Sequence, residues 1–234
     1  MMSKLHSNAN PHSLSDTKWI ICRAFGGRKF EDIFEEFDQV PLGVGAIAQV
    51  YKGKLKPDLL PPARREAKNF RRHLRKAVDE LVKSSPGQGA PSSYVAIKVI
   101  HPWVEKVVNR DLRIVRFFGD LLNSVPTLEW LSFPDEVATF SDMMRLQMDL
   151  RIEAENLARF LYNFRDRSTV TFPQPYRDYT TRDVLIEEFV YGIPLVAFLE
   201  SGAGAFQDAM ANMGLDAFLV LPPSLLTPRL LESR

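Results

Sequence analysis

The chain has 234 residues, of which 45% are hydrophobic and 25% charged, a composition that is typical of a folded protein and excludes a disordered or fibrous one. Thirty Lys and Arg residues face twenty-nine Asp and Glu residues, so the net charge of +1 creates no whole-chain field that would attract nucleic acid or an anionic membrane. The single cysteine, Cys22, excludes an internal disulfide, and no Cys/His cluster has zinc spacing. Apolar packing must therefore form the core of one large domain or two small lobes.

The sequence predicts neither a membrane span nor a targeting segment. Residues 1–11 are polar and lack both the apolar core of a signal peptide and the arginine-rich pattern of an organelle presequence. Every apolar run is far shorter than the roughly 18 to 20 residues that cross a bilayer. We therefore expect that the chain does not span a membrane by itself, and that any address lies upstream of Met1.

The first predicted elements are a short helix and a hairpin. Amphipathic spacing predicts a helix over residues 17–25 that ends at Gly26 and Gly27, within an N-terminal helical extension assigned to residues 1–39. A Gly/Ala loop at residues 43–48 comes next, and the alternation over residues 49–55 favours a strand. We therefore expect this loop to connect the two strands of a β-hairpin.

A basic segment interrupts the strand pattern. Residues 63–82 predict a helix rich in Arg and Lys, inside an insertion assigned to residues 56–93. Its arginines could meet anionic lipid or RNA, but the acids Glu66, Asp79 and Glu80 interrupt the basic run and favour a solvated insertion. Nucleic acid is therefore not an expected partner.

Strands and helices alternate over the rest of the chain. Residues 94–100 are rich in β-branched side chains and predict a buried strand, and residues 103–123 have a helical period. Ser132, with Asp135 three residues later, resembles a capping box and predicts a second long helix that runs to about Arg165. The later predicted segments are a strand at residues 184–190, a helix at residues 194–199 and a disordered tail at residues 221–234.

Two features point to phosphate chemistry. Gly43, Gly45, Ala46 and Ala48 add little bulk to the loop, so backbone N–H groups there can approach phosphate oxygens. Such a turn also occurs without any ligand, so the loop alone is a weak signal. Lys98 is the sharper one, because an ammonium group between apolar neighbours in a strand must meet an anion or extend to solvent.

The acid that would pair with Lys98 stays open on local reasoning. Glu105 and Asp111 lie on the first helix after the strand, and Glu153 and Glu155 lie on the second. Spacing along the chain favours Glu105, although each acid taken singly fits a solvated helix position equally well.

Five sequence blocks follow one another along the chain, namely PLGVGAIAQVYK at 41–52, VAIKVIHP at 95–102, WLSFP at 130–134, MDLRIEAEN at 148–156 and VLIEE at 184–188. In these blocks and in their order the chain resembles the aarF-domain, or UbiB-type, atypical kinase-like family over nearly its whole length. The second block contains the Val-Ala-Ile-Lys strand of protein kinases. The resemblance implies an α+β fold, namely a protein-kinase-like N-lobe with a small antiparallel sheet plus long helices. The lobe and hinge would occupy residues 40–200, and an incomplete C-lobe would begin at residues 201–220.

The resemblance also implies roles for individual residues. Lys98 would pair with the phosphates of a nucleotide, and its helix partner would be Glu153. Asp149 matches the last acid of the family's Glu-x-Asp motif, whose first acid is replaced here by Gln147. The residues expected to bind ATP or ADP are Gly43, Gly45, Ala46, Ala48, Val50, Lys98, Glu153, Glu188, Phe189 and Val190, with the last three at the hinge that would hold adenine.

The resemblance further implies that the chain ends before the family's catalytic segments. After residue 219 the family continues into a catalytic loop and an Asp-Phe-Gly metal site, which this sequence does not match. No catalytic and no metal-binding residue is therefore assigned, and Mg²⁺ is expected with ATP only in the full-length family. We expect a truncated product, whether a splice form, a fragment or a gene-model error, whose enzymatic activity stays open.

Three functional hypotheses follow from the sequence. The first is a kinase-like nucleotide-binding chain linked by the resemblance to mitochondrial coenzyme Q metabolism, with mitochondrial membrane lipid or coenzyme Q biosynthesis proteins as partners. The second is a non-catalytic interaction module that uses the basic helix at residues 63–82. The third is an inert product of an active family enzyme. The four histidines have no acid and nucleophile arranged around them and predict no catalytic role.

Overall fold

The computed structural model describes residues 10–60, 94–124, 132–165, 170–192 and 207–219. Its helices are α1 (Leu14–Ala24), α2 (Val104–Asn123), α3 (Phe133–Gln147), α4 (Leu150–Asn163) and α5 (Gln207–Leu219). Its strands are β1 (Phe34–Phe37), β2 (Gly43–Val44), β3 (Ala48–Leu55), β4 (Tyr94–Ile100) and β5 (Val184–Glu188). The α+β class predicted from the sequence is confirmed.

One antiparallel sheet organises these elements. Its order is β1-β3-β4-β5, and β2 pairs with β3 beside β1. In the register, Val50 of β3 and Leu185 of β5 lie opposite Lys98 of β4. The lysine therefore lies on a central strand, between two apolar neighbours.

The two faces of the sheet bury different clusters, because side chains alternate along each strand. Ile97 and Ile186 face the cluster that contains Ile20 and Ile21 of α1. Ile100, Leu185 and Ala48 face the second cluster, which contains Met148, Leu150 and Ala154 at and beyond the start of α4. Lys98 is an even-numbered residue of β4 like Ile100, so it lies on the α4 face.

The N-terminal segment is more than a helical extension. The Ser13 hydroxyl caps α1 by accepting a hydrogen bond from the Asp16 N–H, and the helix ends where Gly26 and Gly27 take positive φ angles, as predicted. Residues 1–39 were expected to be helical, but β1 pairs with β3 in the sheet. The expectation is wrong for Phe34–Phe37 because a register shift between Phe34 and Glu36 lets both Phe34 and Phe37 pack against the core that α1 covers.

The long helix predicted to run from Ser132 to about Arg165 is broken. Helix α3 ends at Gln147 and α4 begins at Leu150, because the carboxylate of Asp149 accepts a hydrogen bond from the Arg151 N–H as an N-cap. The predicted capping box is also absent. Ser132 takes a left-handed conformation with φ 46° and makes no side-chain cap hydrogen bond.

Several other predictions can be compared with the structure only in part. Strand β5 ends at Glu188, two residues before the predicted end. Helix α5 lies within the predicted segment 201–220. The basic helix 63–82, most of the insertion 56–93, the helix at 194–199 and the tail at 221–234 lie outside the described residues. Within the described ranges, every helix is too short or too polar to cross a bilayer.

Candidate functional site

An ion pair joins the sheet to α4. The Nζ atom of Lys98 donates to both carboxylate oxygens of Glu153, at 2.8 Å and 2.7 Å. The two side chains are 31% and 42% exposed, so the pair lies at the edge of the core and within reach of solvent. Strand alternation points Lys98 towards α4, and the cap at Asp149 places Glu153 in the first turn of that helix.

The other candidate acids have different partners. Glu105 pairs with Arg182, Asp111 with Arg110 and Glu155 with Arg177. Spacing along the chain favoured Glu105, and that interpretation is wrong. The break between α3 and α4 brings the more distant acid to Lys98.

The Gly/Ala loop forms a tight hairpin turn between β2 and β3, as predicted. The Gly45 N–H donates to the Ala48 carbonyl at 2.8 Å, and Gly43 and Val44 pair with Val50 and Gln49. A Cβ atom added at Gly45 would lie 3.4 Å from the Ala48 carbonyl oxygen, whereas one added at Gly43 would meet nothing within 4 Å. Open space therefore lies beside Gly43, whereas a side chain at Gly45 would contact the backbone of the turn.

A cavity of about 530 Å³ lies between this turn, the ion pair and the two helices. This volume is within the range of small-molecule sites. Its lining residues are Gly45, Ala46, Ile47, Ala48, Lys98, Met143, Leu146, Gln147, Asp149, Ile152, Glu153 and Asn156. Five of the predicted site residues thus line one cavity, namely Gly45, Ala46, Ala48, Lys98 and Glu153.

The other five predicted site residues lie outside the lining of that cavity. They are Gly43, Val50, Glu188, Phe189 and Val190. The Glu188 N–H donates to the Gln174 carbonyl and the Phe189 N–H to the Tyr94 carbonyl. These two hinge amides are thus already bonded to the protein's own backbone.

A cluster of aromatic rings surrounds a lysine beside the hinge and was missed by sequence reasoning. The Nζ atom of Lys52 lies 4.6 Å from the ring centroid of Tyr94, 5.0 Å from that of Phe189 and 5.2 Å from that of Tyr191. Such cation–π contacts hold an ammonium group without a carboxylate. Alternation along β3 places Lys52 on the same sheet face as Val50. This alternation is the sequence signal that could have pointed to Lys52.

Glu187 is a second acid near the ion pair; the family resemblance placed it at the hinge through its backbone, and its side chain was given no role. It lies opposite Ala96 in the register, on the same sheet face as Lys98. Burial raises the pKa of Glu187 to about 7, and the Glu153 carboxylate adds to this increase while Lys98 opposes it. The alternation of β5 is the signal that could have found it.

Gln147 and Asp149 lie where the two helices meet. Gln147 lines the cavity, and the Arg151 guanidinium donates to both carboxylate oxygens of Asp149. The hydrogen bonds from Arg151 hold the pKa of Asp149 below its usual value. Across the described residues, no group of three or more His, Cys, Asp or Glu side chains is arranged to hold a metal ion.

Comparison with known proteins places this geometry in a family. A family model described as the ABC1 atypical kinase-like domain matches residues 4–59 and 87–220. A mitochondrial ABC1 family protein of Schizosaccharomyces pombe is 42% identical over 92% of this chain and 30% of its own length. A probable protein kinase UbiB of Tolumonas auensis is 25% identical over 82% of this chain and 30% of its own length.

A solved structure has the same fold. The Rv3197 protein of Mycobacterium tuberculosis, determined in complex with erythromycin, superposes with a TM-score of 0.54 at 21% identity, over 86% of this chain and 41% of its own. Fold and site together define a protein-kinase-like N-lobe whose strand lysine is paired with a helix glutamate. The chain belongs to the ABC1 atypical kinase-like family, and it spans about 30% of the length of the two relatives named above.

Proposed function

We propose that this chain binds the phosphates of ATP or ADP between the turn at residues 45–48 and Lys98. The observation that carries the proposal is the cavity that this turn, Lys98 and Glu153 line together. A part-exposed ammonium group beside a turn of small residues suits an anionic ligand, because it can donate to a phosphate without losing its carboxylate partner. Membership of a kinase-like family supports a nucleotide as that ligand.

Each part of the site has a separate task in this proposal. Glu153 would hold Lys98 in place, and the small side chains at Gly45, Ala46 and Ala48 would let the backbone approach the phosphates. Bound ATP, with Mg²⁺ as its usual companion in kinases, would supply the transferable phosphoryl group.

The adenine ring would lie on the sheet face beside Lys98. Val50 and Ala96 are small apolar side chains on that face, and Gly43 borders the same strand pair. The hinge residues Glu188, Phe189 and Val190 would border the ring. Because the Glu188 and Phe189 N–H groups are bonded within the protein, their carbonyls and the Val190 backbone would make the polar contacts.

The direct test is the affinity for ADP of the Lys98→Ala variant, measured by isothermal titration calorimetry. A hydrogen bond to a charged group contributes roughly 1.5 to 3 kcal/mol, so we expect the Kd to rise by about tenfold or more. The matched control is Lys106→Ala, which removes an exposed lysine of α2 and should leave the Kd unchanged. Equal affinity in the wild type and Lys98→Ala would contradict the proposal, as would a wild-type chain that does not bind ADP.

We also propose a mitochondrial setting for the protein. The Schizosaccharomyces pombe relative is named as mitochondrial, and the family resemblance links such proteins to coenzyme Q. Mitochondrial membrane lipid or proteins of coenzyme Q biosynthesis would be the partners. Fractionation of cells with an antibody against this chain tests the location, and recovery outside the mitochondrial fraction would contradict it.

A further inference from the structure

Two buried histidines link the N-terminal helix to the Gly/Ala turn. His12 precedes α1 and is 7% exposed, and His101 follows β4 and is 1% exposed. Their Nδ1 atoms lie 2.7 Å apart, with the two rings perpendicular. The Nε2 atom of His101 lies 3.0 Å from the Gly45 carbonyl oxygen, in the turn that lines the cavity. The proposed function assigns no task to this pair.

The hydrogen-bond partners determine which ring nitrogens carry protons. A carbonyl oxygen only accepts, so His101 must donate from Nε2, and its Nδ1 in the neutral ring then accepts from Nδ1–H of His12. The His12 Nε2 atom accepts in turn from the Thr17 hydroxyl at 2.9 Å. Burial, followed by the nearby His101, lowers the pKa of His12 to about 4, so this ring is neutral near pH 7. Each hydrogen bond in the series from Thr17 of α1 to the Gly45 carbonyl therefore has one donor and one acceptor.

The bond from His101 also fixes the direction of a carbonyl group. His101 contacts His12, which packs beside Thr17 of α1, whereas Lys98 lies on the α4 face of the sheet. The Gly45 carbonyl bonded to His101 is therefore directed to the face opposite Lys98. A carbonyl oxygen aimed at the cavity would repel a phosphate, since both carry negative charge. The backbone N–H of His101 holds the same turn through the Ile47 carbonyl at 2.9 Å.

We propose that His101 is a positioning residue for the phosphate-facing turn, and that His12 fixes its tautomer. In this arrangement the docking of α1 on the sheet and the shape of the turn are coupled through three hydrogen bonds, which join Thr17 to His12, His12 to His101 and His101 to the Gly45 carbonyl. The part that concerns nucleotide affinity rests on the proposed function. The part that concerns the order of the turn does not.

The matched variants are His101→Gln and His101→Asn. A Gln amide reaches the position of Nε2 and can still donate to the Gly45 carbonyl, whereas an Asn amide reaches only the position of Nδ1. Hydrogen exchange of the Gly45 amide, without ligand, reports the order of the turn. Loss of one hydrogen bond predicts roughly fivefold faster exchange in His101→Asn, and His101→Gln should stay within about twofold of the wild type. Equal exchange in the two variants would indicate a packing role only and overturn the proposal.

ADP affinity is measured on the same variants. We expect the Kd to rise roughly fivefold in His101→Asn and to stay near the wild-type value in His101→Gln. If the wild type does not bind ADP, the proposed function fails, and the exchange of the Gly45 amide still decides the role of His101. If both variants unfold, side-chain ¹⁵N shifts of the wild type decide it. They should report a proton on Nε2 of His101, and an Nε2 atom without a proton would overturn the proposal.

Discussion

Glu187 makes the stability of the fold depend on pH. Its side chain is half-buried near Glu153, and this burial raises its pKa to about 7 from an ordinary value of 4.5. Between these two values the folded state keeps the proton that the unfolded state releases, so the free energy of unfolding falls as the pH rises. The stabilisation is complete below about pH 4.5 and is lost as the pH passes 7.

Replacing Glu187 by Gln should remove this dependence. We expect the variant to be more stable than the wild type at pH 8, by on the order of 3 kcal/mol, because Gln needs no proton to stay neutral. Urea unfolding of both proteins at pH 8 and pH 5 measures the difference, and the pH 5 pair is the control, where the gap should shrink. A gap that is equal at the two pH values would contradict this assignment.

Residue-scale patterns predicted the lysine of the site but not its surroundings. A lysine among β-branched residues signals a need for an anion, and this holds without any tertiary knowledge. The partner could not be derived from spacing, because Arg182 comes from a distant segment and pairs with Glu105, which leaves that acid unsuited to Lys98. The carboxyl group of Glu187 was given no role because its environment depends on which face of β5 meets α4.

At the scale of elements, Asp149 decides where one helix ends and the next begins. Its carboxylate accepts from the Arg151 N–H at 3.0 Å and also from the Arg151 side chain. We expect Asp149→Ala to lower the free energy of unfolding by about 1 kcal/mol, which is typical for loss of an N-cap. Chemical denaturation measures the change.

The matched control for this prediction is Asp149→Asn. Asparagine is as good an N-cap as aspartate, so this variant keeps the cap while it loses the charge facing Arg151. Since Arg151 is an exposed side chain, the ion pair itself should contribute less than about 1 kcal/mol. If Asn destabilises the protein as much as Ala, the ion pair and not the cap holds the junction.

Strands β3, β4 and β5 were predicted well and the junction between α3 and α4 was not, for a physical reason. Strand β4 coincides with the β-branched run at residues 94–100, because a central strand buries nearly every side chain and leaves a strong composition signal. The junction has neither glycine nor proline, so the helical period passes through Met148 without interruption. An aspartate inside a helical pattern is a cap only when tertiary packing turns the chain there.

At the scale of the whole molecule, family membership and the fold agree. The resemblance seen in five sequence blocks is confirmed by the family model over residues 4–59 and 87–220 and by the shared fold of Rv3197. The fold brings the turn after β2, the strand lysine and α4 together, although they are up to about a hundred residues apart in sequence. The residues predicted for the hinge lie at and after the end of β5, and the bonds of the Glu188 and Phe189 amides could not be predicted because they depend on Gln174 and Tyr94.

The proposed role of the turn at residues 45–48 and of Lys98 is to hold the phosphates of a nucleotide. It is tested by the change in backbone amide NMR shifts when the ¹⁵N-labelled 234-residue chain is titrated with ADP, and separately with adenosine. We expect ADP to shift the amides of Gly45, Ala46 and Ala48 strongly and adenosine to leave them nearly unchanged. Saturation by ADP with those amides unmoved, or with shifts clustered elsewhere, would contradict it.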